Sequence, residues 1–327
     1  MSKPVFIISL DFELHWGRFD KGPLQGKEDY YRQTLKAISH LLSLFREYDI
    51  AVTWATVGML MADNEKEWAD FSPQKEPVYL KSRYSAYEWY RHENGDPNCL
   101  FAPDAIREIV STPGQELGSH TFAHYYTREN GQKADTFRAD LMAAKQIAVE
   151  KFGQELKSLV FPRNQYDEEA LRISKEAGFS TVRTNPEDWY WKFPEDGKFI
   201  KRFFRTGDAL FYYGKKKSFS HENLFSANSH LPVLLPASRF LRPFHPNLGI
   251  LNQLKIQKVK REMQVAASSA EAYHLWWHPH NHGWYPNQSL LEVREILEHF
   301  CKLRDLFGME SHSMGSLSNA LQASRQK

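Results

Sequence analysis

Val5-Phe6-Ile7-Ile8-Ser9-Leu10-Asp11-Phe12-Glu13-Leu14-His15-Trp16-Gly17 changes character part-way along. Val5–Leu10 is a continuous apolar run rich in β-branched residues, the pattern of a short strand buried on both faces. It runs into two carboxylates spaced i, i+2, which the period-two geometry of a strand points to the same side. In a parallel barrel the C-terminal strand ends form the mouth, where catalytic groups collect. Asp11 and Glu13 are therefore candidates for chemistry, set against the plainer reading of a solvated strand end.

Working outward, the same alternation continues. Tyr30–Tyr48 has helical periodicity and Ala51–Val57 is a second buried strand. A short helix over Pro103–Val110, a strand over Glu116–Ser119 and a long amphipathic helix over Ala134–Phe152 follow. Leu159–Phe161 and Ser180–Arg183 read as strands, with a helix over Asp167–Ala177 between them closed by Gly178. Near the end, Tyr273–Trp277 reads as a strand and Leu290–Phe307 as a helix stopped by Gly308. Buried strands alternating with helices predict a parallel α/β sheet or barrel with its helices outside. Two polar, aromatic stretches, about 59–100 and 185–269, break the rhythm and are expected to be long loop insertions on the functional face of one domain, 1–327. The polar tail Ser316–Lys327 is expected to fray.

Composition narrows the class. The 327 residues are 42% apolar and 25% charged, enough for a substantial core and a soluble surface. Lys and Arg number 42 against 40 Asp and Glu, a net charge of +2, without the basic excess of a nucleic-acid binder. No apolar run is long enough to span a membrane. Two cysteines, Cys99 and Cys301, form neither a disulfide framework nor a zinc–thiolate pattern. The apolar start is too short and too soon charged for an export signal, so the expected location is cytoplasmic.

Two further strand ends carry chemistry. In Gly118-Ser119-His120-Thr121-Phe122-Ala123-His124, two imidazoles spaced i, i+4 would share one face of a helical turn, a spacing that lets both bind one metal. A carboxylate from the Asp11/Glu13 pair completes a two-His, one-carboxylate set, leaving the other acid as base. Trp276-Trp277-His278-Pro279-His280 is another strand running into imidazoles, one of which could protonate a leaving group. Phe161-Pro162-Arg163 places an arginine at a strand end, suited to holding a carboxylate by a forked pair. Asp188-Trp189-Tyr190-Trp191 offers aromatic faces for a sugar ring. A surface salt bridge and a small loop core are the structural readings of these last two segments.

This order of motifs resembles the NodB-type polysaccharide deacetylases, carbohydrate esterase family four and its relatives. The resemblance spans about Val5 to Gly315, with the two insertions outside it. It implies an irregular (β/α)7 barrel, a divalent metal (zinc, with cobalt or nickel as alternatives) and hydrolysis of N-acyl groups on a carbohydrate. It also implies Asp11 as catalytic base, Glu13, His120 and His124 as metal ligands, His278 as catalytic acid and Arg163 as the group orienting the base. Asp188, Trp189 and His280 are the expected substrate contacts. The usual Arg-x-Pro-aromatic order appears here as Phe161-Pro162-Arg163. A cytoplasmic sugar precursor for surface polysaccharide is the expected substrate. The competing readings are a glycoside hydrolase, with Asp188 as second carboxylate, and a non-catalytic sugar-binding protein.

Overall fold

The structure is a computed structural model and describes residues 3–93, 95–186, 188, 191, 216–221, 224 and 230–325. On the first strand, β1 (Val5–Phe12), Phe6, Ile8, Leu10 and Phe12 pack outward, while Val5, Ile7, Ser9 and Asp11 face inward. β2 (Val52–Thr56), β3 (Gln115–Ser119), β4 (Ser158–Val160) and β5 (Thr181–Thr184) follow side by side, all parallel. β8 (Ala272–Trp277) lines the other edge of β1. β6 (Val233–Pro236) pairs with β5, and β7 (Arg239–Phe240) with β8. Only Ala237 and Ser238 separate β6 from β7, and their N–H groups bond the carbonyls of Thr184 at 2.9 Å and His274 at 2.8 Å. β6 and β7 are thus one jogged strand that turns from β5 to β8, and seven parallel strands close into the expected (β/α)7 barrel.

Helices cover the outside: α1 (Glu28–Tyr48), α4 (Pro103–Ser111), α5 (Ala134–Phe152), α6 (Glu168–Glu176), α7 (Gly249–Ser268) and α8 (Pro286–Phe307). α2 (Glu65–Phe71) and α3 (Ala86–His92) lie in the first insertion, where Trp68 packs against Tyr87 and Tyr90 and continues the main core.

The second insertion is smaller than the sequence predicts. Within 185–269 lie the jogged strand and all of α7. Their periodicity is masked because buried positions are charged and satisfied from elsewhere in the chain. Lys255 of α7 reaches Glu292 at 2.8 Å, and Glu262 takes Arg239 at 2.5 and 2.6 Å and the Tyr273 hydroxyl at 2.9 Å. The tail is a second correction. It forms α9 (Met314–Arg325), whose Met314 and Leu317 plug the barrel floor against Val5, Ile7, Val233 and Ala272. Above them Glu116 accepts bonds from the Thr53 hydroxyl at 2.7 Å and the Gly315 N–H at 2.9 Å. β9 (Glu310–His312) leads into α9 and wedges beside the start of β1. The floor is thereby sealed, and the open end carries the polar groups.

Candidate metal centre and active site

Glu13, His120 and His124 converge at the mouth, with ligand atoms all within 4.8 Å of one another, and all three are buried. Glu13 Oε2 stands 3.2 Å from His120 Nε2 and 3.1 Å from His124 Nε2. Glu13 lies just past β1, where the chain enters a single turn of 3-10 helix over Leu14–Gly17. Its carboxylate folds back into the space over Gly17, where an added Cβ would meet Oε1 at 1.9 Å. Position 17 therefore has to be glycine for Glu13 to reach the imidazoles.

The two histidines do not share a helical turn as their spacing suggests. His120 extends the β3 ladder through its N–H to the Thr56 carbonyl at 2.9 Å. The chain then bends through Thr121 (φ 64°) and His124 (φ 51°), both left-handed, which swings the second imidazole back toward the first. Non-glycine residues in this region carry strain that surrounding contacts must offset. Here Asp140 of α5 accepts the N–H groups of Phe122 at 2.7 Å and Ala123 at 3.0 Å, one on each oxygen. No sequence pattern linked Asp140 to this loop.

His120 Nδ1 donates to the Val160 carbonyl at 2.8 Å, which fixes the ring with Nε2 turned to Glu13. Burial, only partly opposed by Glu13, lowers the His124 pKa to about 4 and keeps it neutral as a ligand must be. Burial alone would raise the Glu13 carboxyl, yet the surrounding imidazoles hold it ionised, well below its ordinary range. Two imidazoles and one carboxylate with ligand atoms within 4.8 Å of one another fit a divalent cation.

Asp11 is held by a different arginine from the one expected. Arg183, inward-facing on β5, donates to its two oxygens at 2.6 and 2.8 Å. Its remaining terminal hydrogens go to Ser9 Oγ at 3.0 Å and Asn164 Oδ1 at 3.2 Å. Ser9 in turn donates to His274 Nε2 at 2.8 Å, and His274 Nδ1 donates to the Pro236 carbonyl at 3.2 Å. Burial lowers His274 to about 3, which leaves it neutral for that role. Arg163 instead turns away through a left-handed residue (φ 53°) and pairs with Asp20 and with Glu129, the latter at 3.0 Å. The sequence did carry a signal for Arg183: a charge at an inward position of an otherwise buried strand.

His278 and His280 differ in placement. His278 Nε2 lies 3.7 Å from Asp11 and 3.6 Å from Glu13, bridging the two acids from the β8 side. His280 is more deeply buried, with Nδ1 at 3.9 Å from Glu13. Asp188 is paired with Lys217 beside Pro186 and Phe219, so the carboxylate that a glycosidase would set opposite Asp11 is committed elsewhere. Trp191 packs 6.1 Å from Trp276, whose ring lies under Arg183. Trp89 packs on His15 and Trp16. Trp189 lies outside the described residues.

A parallel seven-stranded α/β barrel thus carries a two-His, one-carboxylate cluster and a separately held aspartate at its mouth. The polysaccharide deacetylase family model matches residues 16–182, just over half the chain, and the chain belongs to that family, hydrolases of carbon–nitrogen bonds outside peptides. The match encloses His120 and His124, whereas Asp11, Glu13, Arg183 and His278 lie beyond its ends. Among solved structures, a putative polysaccharide deacetylase from Mycobacterium smegmatis shares 15% identity at a TM-score of 0.64, over 99% of this chain and 92% of its own. The Puue allantoinase shares 13% at 0.59, over 100% and 92%. A probable polysaccharide deacetylase from Pseudomonas aeruginosa PAO1 shares 13% at 0.53, over 96% and 89%. These likenesses establish the barrel. No curated protein matches the sequence.

Proposed function

We propose that this chain is a metal-dependent N-deacetylase acting on an N-acylated sugar. The observation that carries the reading is the convergence of Glu13, His120 and His124, ligand atoms within 4.8 Å of one another, with His120 fixed through Nδ1 on the Val160 carbonyl so that Nε2 meets Glu13 at 3.2 Å. Glu13, His120 and His124 would hold it, zinc by preference and cobalt or nickel as substitutes. A bound divalent cation supplies Lewis-acid polarisation of the acyl carbonyl and acidifies water.

The chain's own groups do the rest. Asp11 is fixed in orientation by Arg183 and takes a proton from the attacking water at a carboxylate oxygen. His278 sits between the two acids at the open side and delivers a proton to the departing amine nitrogen. His280, lying further in, is assigned to packing and to orienting the substrate. The buried Ser9–His274–Pro236 chain excludes water behind Arg183 and keeps Asp11 from rotating.

The test is metal analysis of the purified protein alongside acetate release from N-acetylated sugars. About one zinc, cobalt or nickel per chain is expected. His120→Ala should lose both the metal and acetate release while its circular dichroism spectrum stays native. Full metal occupancy in His120→Ala overturns the ligand assignment.

A further inference from the structure

Two cations at the mouth have no work in the chemistry just described. Gly17 lies directly beneath the Glu13 carboxylate, so Arg18, the next residue, starts at the edge of the same cleft. The Lys21 N–H closes a turn on the Arg18 carbonyl at 2.9 Å, which keeps both side chains on the loop from β1 to α1. Both are exposed, and among the described residues neither head group forms a hydrogen bond or an ion pair. The other arginines of the cleft differ in this respect, Arg183 being spent on Asp11 and Arg163 on Asp20 and Glu129. The field of Arg18 reaches Tyr30 and His280, and that of Lys21 reaches Glu13 and His124, so both charges bear on the cleft.

An aromatic lip lies on the His280 side of the cleft. Trp284 is 61% exposed, and its ring centroid stands 4.9 Å from that of Tyr30, which lies 6.0 Å from His280. Its exposure does not come from a loose loop. A Cβ at Gly283 would meet the Tyr30 carbonyl oxygen at 2.4 Å, so the segment lies flat against Tyr30 and only glycine allows the approach. An indole fixed in place with its face open is suited to stacking on a ring.

We propose that the substrate is an anionic N-acyl sugar, its phosphate or carboxylate held by Arg18 and Lys21 and a ring laid against Trp284. This rests on the N-deacetylase reading and narrows its substrate class. The two cations sit on the loop that directly follows Glu13, so the charge belongs to the sugar that carries the acyl group or to its immediate neighbour. Exposed cations also attract such a substrate at long range, an effect that salt screens.

The experiment is equilibrium binding, followed by tryptophan fluorescence, of three probes to the metal-loaded protein. They are an N-acetylhexosamine 1-phosphate, an N-acetylated hexosaminuronic acid and a neutral N-acetylhexosamine. Wild type should bind a charged probe more tightly than the neutral one, with the advantage shrinking as salt is raised. Arg18→Gln and Lys21→Gln should each weaken the charged probe by roughly three- to fivefold, the range of exposed ion pairs, and leave the neutral probe unchanged. Trp284→Ala should weaken all three. The phosphate and uronate arms separate the two sources of charge. Equal binding of charged and neutral probes, or an equal loss for both in the Gln variants, overturns the proposal. Acetate release from the neutral probe in that case would leave the deacetylase reading standing. Arg18-dependent binding of a charged probe without acetate release from any of the three would uphold the anion site and sink the deacetylase reading.

Discussion

At the scale of single residues, the site depends on which groups are committed and which are left available. Burial on its own would raise the Asp11 carboxyl, but the charge and hydrogen bonds of Arg183 override it and hold Asp11 below its ordinary 3.8. A carboxyl whose pKa is lower folded than unfolded contributes stability that is complete above pH 3.8 and lost as the pH falls through the folded value. Arg183→Met leaves Asp11 buried without its partner. Its pKa should rise, the acid limb of the pH–kcat/KM profile should move upward, and stability should drop by about 3–5 kcal/mol. Arg163→Met should leave the acid limb where it is, since that side chain pairs with Asp20 and Glu129. Profiles between pH 4 and 9 with urea melts check both; an upward shift in Arg163→Met alone would reverse the assignment. Asp11→Asn should keep the metal and lose roughly 10²–10⁴ in turnover, the usual contribution of a positioned base.

The functional unit at the scale of elements is the β3 end with its bend, and α5 holds it. Ser119 Oγ accepts the Thr121 N–H at 3.0 Å and Thr121 Oγ1 accepts the Tyr125 N–H at 2.7 Å, and the Asp140 carboxylate ties the bend to α5 through the Phe122 and Ala123 N–H groups. Asp140→Ala strands two buried N–H groups, each costing about 1–3 kcal/mol. It touches neither imidazole, yet metal affinity should fall by roughly 10- to 100-fold, as when a ligand's support is removed. Competition with a chelator measures this; unchanged affinity would mean the bend holds itself. Burial pushes Asp140 up to about 7 against the pull of its two N–H partners. With the folded pKa above the unfolded 3.8, its contribution is complete below pH 3.8 and lost as the pH rises through about 7. Wild type should therefore lose stability relative to Asp140→Asn between pH 4 and 7.

For the whole molecule, the two ends of the barrel are built differently. The floor is closed by α9, with Met314 and Leu317 buried and Glu116 bonded to the Gly315 N–H at the start of the helix. Ending the chain at Ser313 uncovers Val5, Ile7 and Val233 and removes two large buried side chains. At about 1.5–3 kcal/mol each, and about 2–4 °C per kcal/mol for a chain of this size, the melting temperature should fall on the order of 10 °C. Calorimetry of the truncated protein decides it, and an unchanged melt would return the tail to the status of a frayed end.

The sequence by itself determined the elements and the chemistry that local pattern exposes. Apolar runs marked the buried strands, helical periodicity marked α1, α5 and α8, and carboxylates or imidazoles at the ends of such runs marked Asp11, Glu13, His120, His124 and His278 as out of place in a core. Those signals need only neighbouring residues to be read. Tertiary structure alone decided which arginine meets Asp11, because the left-handed backbone at Arg163 sends one guanidinium outward while inward alternation on β5 delivers the other. It decided that 185–269 contains a barrel strand and a helix, because Lys255 and Glu262 become tolerable core residues only when Glu292 and Arg239 arrive from other elements. It decided, too, that a polar tail becomes a floor. A charge or a short apolar pair takes its meaning from partners far along the chain, and no window of sequence contains both.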